Sequence, residues 1–146
     1  MVFFLRSFGL RSLLVLALLA WGATRALPAQ AQAAAASSAD VLATIRTALK
    51  NGSAREVAQL FGPAVDLGVD GTKQSYSQTQ AEFVVRDFFA KNPPTSFEFV
   101  HQGASDAGTP YAIGRYGTKA ASYRVFIKLK NQKTGLLIDN LDFTKE

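Results

Sequence analysis

The chain has 146 residues, a formal net charge of +5 and no cysteine. That length fits one domain with a short extension. The missing cysteine excludes a disulfide framework, thiolate metal sites, a cysteine nucleophile and a lipidated N-terminal cysteine. Residues 1–31 carry the three-part pattern of an export signal. Arg6 and Arg11 give the positive start, an uncharged run from Ser12 to Thr24 follows, and Ala29-Gln30-Ala31 after Pro28 offers a cleavage site. The uncharged run spans 13 residues, short of the roughly 20 that a membrane-spanning helix needs. Cleavage near Ala31 is therefore expected, leaving no membrane span and placing the product in the periplasm or outside the cell. Removing residues 1–31 takes away Arg6, Arg11 and Arg25 and no acid, so 115 residues and a charge of +2 remain. The basic charge is then no argument for nucleic acid. Residues 32–38 (QAAAASS) read as a flexible tail, and one domain fills 39–146.

Helical periodicity begins after Ser38, with Val41, Leu42, Ile45, Ala48 and Leu49 on one stripe and Asn51-Gly52 as the stop. Ser53 to Glu56 has the spacing of a capping box that opens a short second helix burying Val57, Leu60 and Phe61, ended by Gly62-Pro63. Val65, Leu67 and Val69 alternate with Asp66, Gly68 and Asp70, and Asp70-Gly71 predicts a tight hairpin returning to Tyr76. Ser77 and Gln80 form a second box. Ala81, Val84, Val85, Phe88 and Phe89 then line a third helix, stopped by Asn92-Pro93-Pro94. From Thr95 the period is two. Strands are expected through Phe97, Phe99 and His101, over Tyr111–Thr118, through Tyr123–Lys130 and over Leu136–Phe143, with loops at Gly103–Pro110 and Asn131–Gly135. Helices followed by strands indicate an α+β fold. The expectation is three N-terminal helices and a small hairpin packed on a curved four-stranded antiparallel sheet.

The runs DFFAKNPPTSFEFVHQG (Asp87–Gly103), YAIGRY (Tyr111–Tyr116) and YRVFIKLK (Tyr123–Lys130) resemble the bacterial family described as domain of unknown function 4783. That family is a branch of the nuclear-transport-factor-2-like fold, in which a curved sheet wraps helices into a cone around a pocket. The resemblance runs from Val41 to the C-terminus. It implies export and a fold. It implies no activity, since the wider fold hosts enzymes and non-enzymes alike.

His101, the one histidine, shares a face with Phe97 and Phe99 if the alternation holds. It is either an acid/base lining a pocket or a strand-end side chain bonded to backbone. Arg115 follows Tyr111 and Ile113 on one side, and Asp139 sits among Leu137, Leu141 and Phe143. Both then face the pocket, pair across neighbouring strands, or, since Leu136 and Ile138 allow the opposite register, face solvent. Isomerases and dehydratases of the wider fold use inward carboxylates, tyrosines or histidines to move protons. Asp66, Tyr76 and His101 could imitate them, though no spacing here matches such a motif. Arg124, Lys128, Lys130 and Lys133 make a basic stretch in which only Phe126 interleaves, too few aromatics for nucleic acid. A solvated face whose lysines guard a sheet edge accounts for it better. No cofactor loop, nucleophile elbow or metal motif is present.

The leading expectation is a non-enzymatic exported domain binding a small apolar or amphipathic ligand, or a protein partner, with His101, Arg115, Phe97, Phe99 and Tyr76 as the binding set. The alternative is a small proton-transfer enzyme using His101 with Asp66 or Asp139. A third reading is a homodimer through the outer sheet face, anchored by Phe126 and Tyr116.

Overall fold

A computed structural model describes the backbone from Ala29 to Glu146 and the side chains from Ser38 onward. The expected export signal lies, up to residue 28, outside the described residues. Three helices and six strands follow: α1 (Ala29–Asn51), α2 (Ala54–Gln59), β1 (Phe61–Val69), β2 (Thr72–Ser77), α3 (Gln78–Lys91), β3 (Ser96–Ala104), β4 (Pro110–Gly117), β5 (Ser122–Gln132) and β6 (Gly135–Lys145). The backbone of α1 is already helical across 32–38, where a tail was expected; alanine is the strongest helix former, and the run there is mostly alanine. Among the described residues, no helix is long and apolar enough to cross a membrane.

The apolar stripe of α1 is buried at Leu42, Ile45, Ala48 and Leu49. The helix ends at Gly52, whose φ of 65° suits glycine, with Ser53 N–H donating to Ala48 O at 3.1 Å. Ser53 then caps α2 by accepting from Glu56 N–H at 3.3 Å. Ser77 and Gln80 form the full reciprocal box at the start of α3. The Asp70-Gly71 turn is as expected, with both residues at positive φ.

The sheet differs from the expected four antiparallel strands. It has six, in the order β2-β1-β6-β5-β4-β3, and β1 pairs with β6 in parallel. The β3 to β6 meander is antiparallel throughout. What sequence reading treated as a separate hairpin is joined edge-on to that meander. Phe61 accordingly belongs to β1 and not to α2. Leu60 caps α2, and its carbonyl accepts from Ile138 N–H at 2.7 Å, so the chain passes straight from helix into sheet. Gly62 and Pro63 disguise this strand. The β1–β6 ladder breaks between Phe61 and Asp66, at the place where proline has no N–H to give.

Helix α1 packs on β3, β4 and β6, and α3 packs on β1, β2 and α2. Between helices and sheet lie Phe88, Phe89, Tyr116, Tyr123 and Phe143, all buried. Phe88 and Phe143 have ring centroids 4.3 Å apart, and Phe89 stacks on Tyr116 at 5.9 Å. Two buried hydroxyls need partners here, and Asn92 at the end of α3 supplies both. Tyr116 donates to its carbonyl at 2.6 Å and Tyr123 to its Oδ1 at 3.0 Å. Burial, and after it the neighbouring Tyr123, push the Tyr116 hydroxyl far above the usual tyrosine range.

Candidate functional site

Two bulges decide which side chains face where. In β3 the register shifts between Phe99 and His101, and an extra residue flips everything beyond it. Phe97 is therefore buried and Phe99 half-buried on the inner face, while His101 pairs with Ile113 on the outer face and is exposed. The expectation that His101 shares a face with Phe97 and Phe99 is corrected. Its Nε2 lies 3.1 Å from the Tyr111 hydroxyl, and among the described residues it has no carboxylate partner.

In β6 the register shifts opposite Lys128 and Leu129. Asp139 is the displaced residue, and its Oδ2 lies 2.9 Å from Lys128 Nζ. It is not inside the cone. Arg115 is corrected in the same direction. The buried residues of β4 are Ala112, Gly114 and Tyr116, and the ring of Phe97 fills the space over Gly114, where a Cβ would lie 2.5 Å from it. Arg115 thus faces outward and pairs with Glu146 at 3.2 Å, not with Asp139. Tyr116, expected as an outer anchor, is wholly buried.

Asp66 is exposed on β1 and accepts from Ser75 Oγ at 2.8 Å. Tyr76, on the inner side of edge strand β2, packs against the core and donates to Gln74 Oε1 at 2.7 Å. His101 on β3 is three strands from Asp139 on β6 and four from Asp66 on β1, at about 4.8 Å of sheet per strand. The proposed acid/base partners are not brought together. Among the described residues, no three histidine or acidic side chains converge for a metal. The lysines of β5 do not guard an edge either, since β5 is flanked by β4 and β6.

What the fold does assemble lies on the outer face. Tyr111 and Phe126 stack with centroids 6.1 Å apart, and His101 meets the far side of Tyr111 at 5.6 Å. Ile113, Phe126 and Asp142 are cross-strand neighbours on β4, β5 and β6, and Arg124 is paired with Thr144 in the adjoining row. These five residues line a recess of about 240 Å³. Phe126 was legible as outward-facing because Val125 and Ile127 point in. Asp142, between Leu141 and Phe143, carried the same signal unread. A larger hollow of about 420 Å³ lies between the Gly52–Arg55 turn and α3. Its Arg86 is already paired with Glu82.

The family model described as domain of unknown function (DUF4783) matches residues 42–144. The crystal structure of a DUF4783 family protein from Bacteroides ovatus is 30% identical, covers 71% of this chain and 94% of its own, and superposes with a TM-score of 0.67. A Nostoc punctiforme domain with a cystatin-like fold is similar at 14% identity and TM-score 0.61, over 78% of each chain. An NTF-2-like protein of unknown function from Silicibacter pomeroyi is similar at 10% identity and TM-score 0.57, over 80% of this chain and 98% of that one. The last two likenesses carry the fold alone. No curated protein matches the sequence.

Proposed function

This chain belongs to the DUF4783 family, and on that premise we propose that it is an exported, non-catalytic binding domain that takes a small amphipathic ligand on the outer face of its sheet. The fold itself is NTF2-like. The observation that carries the reading is the recess beside the Tyr111–Phe126 stack, an aromatic platform with polar neighbours on a sheet face whose Asp66, Arg115, Arg124 and His101 are all exposed. Such a mix of apolar floor and few polar groups is what small-molecule sites use. The inward residues first expected to bind, Phe97 above all, are spent on packing instead. Export is supported by the positive start, the 13-residue uncharged run and the Ala29-Gln30-Ala31 site.

Native mass spectrometry of the protein purified from the cell envelope tests both parts. The expected mass is that of a chain beginning near residue 32, with a small molecule bound that Phe126→Asp releases. A full-length mass would overturn export. A mass with no adduct, unchanged by Phe126→Asp, would overturn the binding face. A dimer that Phe126→Asp dissociates would give that face to a second copy instead.

A further inference from the structure

The outer recess is bounded by two opposite charges that do not meet. Arg124 and Asp142 line the same hollow on diagonal positions of neighbouring strands, close enough for long side chains to interact. Yet among the described residues neither takes part in an ion pair, whereas Arg115 and Lys128 on the same face have Glu146 and Asp139. Asp142 is also held in place. Its carboxylate lies over Gly68, where a Cβ would come within 2.8 Å of it, and Thr144 Oγ1 donates to its Oδ1 at 3.4 Å. Between the two charges the floor is Ile113 and Phe126.

Resting on the outer-face reading above, we propose that this recess binds a free α-amino acid with an apolar side chain. The ligand carboxylate meets the Arg124 guanidinium, the ammonium meets Asp142, and the side chain lies over Phe126 and Ile113. Charge complementarity selects the class. A simple anion satisfies Arg124 but faces Asp142, a simple cation does the reverse, and only a zwitterion answers both. The size agrees, since about 240 Å³ is below the roughly 300–1,000 Å³ of drug-sized pockets. Arg124 is exposed and Asp142 half-buried, so each charge adds modestly to an affinity that the apolar floor shares.

The test is an NMR titration of the purified protein with L-phenylalanine, 3-phenylpropionate, which lacks the ammonium, and 2-phenylethylamine, which lacks the carboxylate. Saturable shifts are expected at Ile113, Arg124 to Phe126 and Asp142 to Thr144, with each one-charge compound about fivefold weaker. Arg124→Gln should weaken phenylalanine and leave phenylethylamine unchanged; Asp142→Asn should weaken phenylalanine and leave phenylpropionate unchanged. A general disturbance of the sheet cannot produce that crossed pattern. Equal binding of all three compounds, or no saturable shift, overturns the zwitterion assignment. If phenylalanine fails while Phe126→Asp still releases an adduct or a second copy in the mass spectrum, the outer face stands and only the ligand class falls. If Phe126→Asp also changes nothing, both fall.

Discussion

The same strands present two very different faces. Inward, β4, β5 and β6 give Tyr116, Tyr123 and Phe143, which interlock with Phe88 and Phe89 of α3 at centroid distances from 4.3 to 6.5 Å. Outward, one residue along, they give Ile113, Arg124, Phe126, Lys128 and Asp142, with a stacked ring pair and ion pairs open to water. Alternation makes this possible, because neighbouring residues on a strand point to opposite sides. The inner face holds the fold together. Substitutions on the outer face remove little buried apolar contact.

Four measurements test that contrast. Phe143→Ala removes a ring touching Phe88, Phe89 and Tyr116, and urea unfolding should show a loss of about 3–5 kcal/mol. A loss under about 1 kcal/mol would mean that the interior is not the stabilising face. Asn92→Ala leaves the Tyr123 hydroxyl without its acceptor, at an expected cost of about 1–3 kcal/mol in thermal unfolding. An unchanged Tm would show that another group takes over.

The third concerns pH. Tyr116 has its hydroxyl pKa raised in the folded state, first by burial and then by Tyr123. Its stabilising contribution is therefore complete below the ordinary tyrosine pKa of about 10 and declines as pH rises beyond it, by up to about 1.4 kcal/mol per pH unit. Tyr116→Phe should flatten that alkaline slope; identical slopes for both proteins would refute it. The smallest effect belongs to the outer face. Lys128→Met breaks the half-exposed pair with Asp139 and should cost less than about 1 kcal/mol, less still in high salt. A loss matching that of Phe143→Ala would erase the distinction between the faces.

Signals that act over a few residues were legible in the sequence. The Ser77–Gln80 box, the Asp70-Gly71 turn and the alternation of Tyr123 to Leu129 each fix local geometry, and each appears where its spacing put it. The errors come from features that no short window contains. A straight reading of alternation carries His101 inward past the β3 bulge, and it leaves the side that Asp139 faces open because the β6 bulge decides it. Of the options open for Arg115, the inward one fails because Gly114, which looks like a poor core residue, has its space filled by Phe97 from another strand. The β1–β6 pair joins segments about seventy-five positions apart, and Gly62-Pro63 reads as a stop when it is a flaw inside a strand. The recess was half legible: Phe126 was assigned outward, while Asp142 and Arg124 meet only once β5 and β6 are paired.

The position of β6 has a consequence for the order of assembly. The β1–β2 hairpin and the β3–β4–β5 meander share no ladder, and β6 alone bridges them, parallel to one and antiparallel to the other. Until that last strand arrives, the two half-sheets each expose an unpaired border. Closure must wait for contacts between distant stretches of chain, the kind that form slowly. A polypeptide emerging N-terminus first thus stays unfinished until the residues of β6 are free, and the unjoined borders make that the period of greatest risk of self-association.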